Sequence, residues 1–181
     1  PRPKTARGAS PQPSDGSPRS AADLVDLESR VRILGREAKR VLEEGEPLPQ
    51  AYVAKFERAG HFLESAKENK LGRLWSDAAA ILERACGLYE EIQSARAPYD
   101  AFRRLRADIL EIDKGLNADR VGLDRHELPR SQDYKTNRAE LDRRLEKEVG
   151  ALDWSSACQT AKAIIEPVST HRKWVRSLRT A

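Results

Sequence analysis

Methionine is absent from these 181 residues, cysteine occurs only twice, histidine three times, and aromatic side chains make up 6% of the chain. Nowhere do about 18 apolar residues follow one another, which excludes a transmembrane helix. No secretory signal peptide is visible either; because the chain starts at Pro1 and holds no methionine, a processed chain or a fragment is expected. Cys86 and Cys158 are the only cysteines, and a disulfide between them, or a reactive or metal-binding role, is the lesser alternative to two free thiols. Both fall on apolar helical faces, where a free thiol behaves as a small hydrophobe. Low cysteine suits a reducing, intracellular compartment, cytoplasm or nucleus.

Catalytic signatures are missing as well. His126-Glu127 begins like a zinc-protease motif, but Pro129 and Arg130 stand where the second histidine is needed, so no two ligands grip a metal from one helical face. Neither Gly72 nor Gly87 is followed by Lys and Ser/Thr, so no phosphate-cradling loop exists. There is no nucleophile elbow and no Cys-x-x-Cys pair. The expectation is a non-enzymatic protein with no catalytic, cofactor-binding or metal-binding residues.

What the chain has in abundance is helical periodicity. Leu71, Leu74, Ala78, Ile81, Ala85, Leu88, Ile92 and Ala95 follow one another at three-four spacing and lay one apolar stripe along a helix. A second row, Trp75, Ala79, Leu82, Cys86 and Tyr89, widens it beyond a coiled-coil seam, as suits a helix with two neighbours. The same rhythm predicts a first helix over about 21–44, stopped by Gly45 and Pro47, and a second opened by Leu48-Pro49-Gln50 and turning near Asn69 and Lys70. Beyond Pro98 the register continues through Tyr99, Phe102, Leu105, Ile109, Ile112 and Leu116, either as a kinked helix or after a full turn, with Gly115 and Asn117 as the stop. Unbroken, residues 71 to 116 would extend about 69 Å. Residues 117–131 lack a helical period and predict a long loop.

A further helix over about 132–149 carries the thin stripe Tyr134, Leu141, Leu145 and Val149 on a highly charged body. The last opens on Asp153 as N-cap and keeps register from Trp154 through Ile164, Val168, His171, Val175 and Leu178 across Pro167, still running where the chain stops. The core residues expected from these stripes are Phe56, Leu63, Leu74, Ile81, Leu88, Ile92, Ile109 and Trp154. The alternation of Leu-Pro breaks (Leu48-Pro49, Leu128-Pro129) with Trp-bearing helices (Trp75, Trp154, Trp174) resembles, in rhythm only, the helical region of the JARID-type histone demethylases. The fold expected is all-α: an antiparallel bundle of five to six helices over residues 21–181, some kinked at proline, behind a disordered tail over 1–20. That tail holds half of all the prolines and no aliphatic residue larger than alanine.

Charge narrows the candidate surfaces. Residues 1–20 carry a net +3, the last fifteen residues +4, and the body between them −3. A mildly acidic body argues against a nucleic-acid groove across the core and leaves the two ends. Ser10 and Ser17 each precede proline in the tail and are candidate phosphorylation sites, where a phosphate would nearly reverse the local charge. Arg172, Lys173, Arg176 and Arg179 are candidate anion contacts around Trp174, although a basic last turn also suits the helix dipole. Trp174, Val175 and Leu178 are expected to be only partly covered and to form the edge of a partner contact. His171 reads more simply as an imidazole at the bundle edge, with one face wet, than as a buried pH switch or ligand. The function expected is a helical interaction or scaffold module, part of a larger protein or assembly, with a protein partner or neighbouring domain. The alternative is a nucleic-acid or anionic-surface binder working through the basic ends.

Overall fold

The computed structural model describes residues 22–121 and 129–180, and it is all-α, a helical bundle with no strand among the described residues. A 3-10 turn over Ala22–Leu24 leads into α1 (Val25–Glu43), followed by α2 (Gln50–Leu71), α3 (Trp75–Arg120), α4 (Pro129–Gly150) and α5 (Trp154–Thr180). Ser10, Ser17 and the rest of the tail lie outside the described residues, as do His126 and Glu127; Arg179 belongs to α5, but its side chain lies outside them too. No helix among the described residues is long and apolar enough to cross a membrane.

The described residues form two compact units. The first takes the described residues through Glu43 together with Pro49–Glu90, and the second takes Glu44–Leu48 together with the described residues from Glu91 onward. In the first unit Val31 and Ala38 of α1 and Tyr52, Ala59 and Ala66 of α2 are buried, as are Ala78, Ala79, Leu82, Ala85, Cys86 and Tyr89 of α3. Leu24 closes one end against Ala78 and Ala79, with Leu27 and Trp75 beside it. In the second unit Ile109 and Leu116 of α3 meet Ala161, Ile164, Val168 and Val175 of α5, and Tyr134, Leu141 and Leu145 of α4 pack against them. Trp154 adds an edge-on contact to Tyr99 at 4.9 Å between ring centres and a tilted one to Phe102 at 5.6 Å.

Two expectations are corrected and one open alternative is decided. The turn after α2 falls at Gly72–Leu74 instead of Asn69–Lys70, because the helix ends in a Schellman motif: Leu74 N–H donates to Asn69 O at 2.8 Å and Arg73 N–H to Lys70 O at 3.1 Å, with Arg73 left-handed at φ 60°. Leu71 and Leu74 therefore stand at the turn, 86% and 52% exposed, and Leu74 is not core. Ile81, Leu88, Phe56 and Leu63 are half-buried, so the buried arc of α3 in this unit follows the second apolar row.

The open alternative concerns Pro98 and Pro167, and it is decided for the continuous helix: both lie inside unbroken helices. Each proline withholds a donor from the carbonyl four residues earlier, and both of those residues, Ser94 and Ala163, are exposed, so water can take the freed oxygen. The other correction concerns the loop expected over 117–131: α3 continues to Arg120 and α4 begins at Pro129, and 122–128 lie outside the described residues. Gly115 does not end α3. An added Cβ there would meet the guanidinium of Arg172, the movable end of a long side chain.

Gly45 is the glycine whose conformation matters, with φ 72° after α1. There Arg96 passes close by and donates from Nη1 to Glu46 O at 2.7 Å.

Candidate functional site

The end of α5 in the second unit gathers the residues singled out by the sequence. Pro167, His171, Trp174 and Leu178 recur at three-four spacing along one side of the helix, while Val168 and Val175 lie on the adjoining side against the core. Val175 is only 3% exposed and therefore is not available to a partner. Trp174 is half-buried, and Leu178, one turn further on, is 39% exposed.

His171 is buried, at 5% exposed, which overturns its reading as a wet edge residue. Its ring stacks face to face on Tyr134 of α4, with centres 4.1 Å apart and planes 1° from parallel, and Trp174 lies 5.2 Å away. Arg120, in the last turn of α3, places Nη2 at 2.8 Å from His171 Nε2. A guanidinium only donates, so Nε2 must accept, and the imidazole holds no proton on that nitrogen. Burial pushes the Tyr134 phenol up. Beside this stack, Tyr134 and Asn137 of α4 with Glu166, Thr170, His171 and Trp174 of α5 line a cleft of about 350 Å³.

Two basic residues of α5 share a carboxylate of α3. Arg172 Nε and Arg176 Nε both donate to Asp119 Oδ2, at 2.7 and 2.8 Å. The Arg172 hydrogen bond, reinforced by Arg176, holds the Asp119 carboxyl below the usual carboxylate range. Lys173 is exposed. Two of the four candidate anion contacts are thus shared on one carboxylate of α3.

Arg138 fills a slot that the sequence left empty. It stands between Tyr134 and Leu141 in the α4 stripe and reaches Asp113 of α3 through two parallel bonds, Nη1 to Oδ1 at 2.9 Å and Nη2 to Oδ2 at 2.8 Å. Its Nε donates to Asp142 at 2.9 Å. Burial disfavours the charged guanidinium, yet the bonds to Asp113 and Asp142 outweigh burial and raise its pKa. A charged residue at a stripe position one turn from an aromatic was the available signal for this bridge. Nothing in the local pattern pointed to Arg120 or Asp119, whose partners are about fifty residues away.

Chemically, this assembly ties α3, α4 and α5 together beside a small recess. Among the described residues no three His, Cys, Asp or Glu side chains gather as metal ligands. Cys86 and Cys158 are both free, and burial raises both thiols, the opposite of an activated nucleophile. The Cys158 thiol lies 3.5 Å from Pro98 O as a donor. Comparison of the chain with protein-family models, with curated proteins and with solved structures gives no match.

Proposed function

We propose that this chain is a non-enzymatic helical interaction module of a larger protein or assembly, working in an intracellular setting to which its two free thiols are suited. The observation that carries the reading is the cleft of about 350 Å³ with half-buried Trp174 in its wall and Leu178 exposed one turn beyond. That volume is near the lower end of the roughly 300–1,000 Å³ typical of ligand sites, a size for an anchoring side chain of a partner. Partly covered aromatics beside such recesses are frequent anchors of protein contacts.

The alternative, an anion binder using the basic tail and Arg172, Lys173, Arg176 and Arg179, draws less support because Arg172 and Arg176 are committed to Asp119. Immobilised full-length chain and its Leu178→Asp and Asn137→Arg variants would be compared for the proteins they retain. Retention lost in both variants and unchanged between about 50 and 200 mM salt supports the protein-contact reading. Binding of a polyanion that falls steeply over the same salt range, and falls again without residues 1–20, would establish the alternative.

A further inference from the structure

The first unit carries a larger recess than the cleft beside Trp174, and none of its residues belongs to that site. Val31 of α1, Leu63 and Ala66 of α2, and Trp75 and Leu82 of α3 form the apolar walls of a groove of about 780 Å³. Leu71 lies along its edge, 86% exposed, although it is a large aliphatic side chain. Its charged lining is lopsided. Arg32, Lys67 and Lys70 face it against one acid, Glu28, and that acid is already paired with Lys70. Lys67 holds Glu64 at 2.8 Å, but both side chains are about two-thirds exposed, so this pair is weak and easily exchanged. Among the described residues no carboxylate is paired with Arg32.

We propose that this groove receives an amphipathic helix of a protein partner, apolar on the face it inserts and acidic on the flank that meets Arg32 and Lys67. The backbone argument favours a helix. The walls are helices and offer no strand edge, so an extended peptide would press unsatisfied N–H and C=O groups against apolar surface, whereas a helix satisfies its own. Size agrees: the α2 wall from Leu63 to Leu71 runs about 12 Å at 1.5 Å per residue, or about two turns, which matches anchors at i, i+3 or i+4, and i+7. An acyl chain is a poorer fit, because small-molecule sites bury most of their ligand and this groove is open along Leu71. The chain's residues 1–20 hold no aliphatic side chain larger than alanine and a net +3, which is the wrong composition and the wrong sign.

The test is an unbiased selection. A displayed library of random peptides, each long enough for four helical turns, is enriched on the full chain, and the winners are measured against Leu71→Glu and Arg32→Glu. Both positions are exposed, so both variants should keep the parent's melting curve. The expected result is a set of sequences with apolar residues at i, i+3 or i+4, and i+7 and with Asp or Glu alongside. Each variant should weaken their binding about tenfold or more, equal to about 1.4 kcal/mol. Failure to enrich such sequences overturns the proposal, as do enriched peptides with basic flanks or peptides that bind both variants equally well. Dodecanoate binding abolished by Leu71→Glu, with no peptide enriched, would assign the groove to a lipid. A self-association seen by sedimentation and lost in Leu71→Glu would assign it to a second copy. Leu178→Asp should leave peptide binding unchanged, which separates this groove from the Trp174 contact.

Discussion

Ile92 and Leu74 belong to the same three-four series in the sequence, and the structure gives them opposite fates: Ile92 is 0% exposed and Leu74 52%. Truncating each to alanine turns that contrast into a measurement. Ile92→Ala removes three carbon groups from full burial, about 2.4 kcal/mol at roughly 0.8 kcal/mol per group. The cavity left behind raises the cost to about 3–4 kcal/mol, within the range of roughly 2–5 seen for such truncations. Leu74→Ala takes its carbons from a side chain that is already half in water at a turn, and should cost no more than about 1 kcal/mol. For a chain of this size 1 kcal/mol shifts the melting temperature by roughly 2–4 °C. Thermal melts followed by far-ultraviolet circular dichroism should therefore show Ile92→Ala lower by roughly 6–16 °C and Leu74→Ala close to the parent, with half-buried Ile81→Ala between them. Equal losses at positions 74 and 92, or the reverse order, would mean that α3 starts earlier than Trp75 and that its buried arc is misassigned.

Arg73 occupies the left-handed position of the Schellman motif with φ 60°, a conformation costing a side-chain-bearing residue roughly 1 kcal/mol more than glycine. Arg73→Gly should therefore raise the unfolding free energy by about 1 kcal/mol, read as a higher denaturant midpoint at unchanged slope, and an unchanged midpoint would contradict that strain. Arg138→Met leaves Asp113 and Asp142 without their partner and should cost about 1–3 kcal/mol, the guanidinium being 18% exposed and not fully buried. In the double variant with Asp113→Asn part of that loss should be recovered, and strict additivity in urea melts would show that the pair is not coupled. The Asp119 carboxyl is depressed by its hydrogen bond from Arg172 and by Arg176, so its contribution is present above its unfolded value of about 4 and is lost as pH falls through the folded value. The stability gap between the parent and Asp119→Asn should close as pH drops below about 4, and a constant gap would refute the linkage.

The candidate surfaces were legible to different degrees. Trp174 and Leu178 were readable because both lie on one helix at local spacing, and their partial exposure needs only the end of a stripe. Val175 looked equivalent in sequence but turns toward Ile109, Leu116 and Val168, a neighbour relation that periodicity does not contain. His171 in its stripe position marked a face, whereas the ring of Tyr134 and the guanidinium of Arg120 that enclose it come from two other helices. The groove walled by Val31, Leu63 and Leu82 was invisible, since each residue reads simply as a core position of its own helix.

The sequence by itself determined that the protein is helical and roughly where each helix lies, because the three-four recurrence of apolar residues and the stops at glycine and proline are local properties. It marked Asp153 as a cap, and Ser156 N–H does donate to Asp153 Oδ1 at 3.0 Å. Only the tertiary structure decided that Pro98 and Pro167 stay inside helices, since toleration depends on whether the freed carbonyl faces water. It alone decided that Arg172 and Arg176 share Asp119 and that Arg138 bridges Asp113 and Asp142. Charge pairing across helices depends on rotation and separation about each axis, and a linear pattern fixes a face without fixing what stands opposite it.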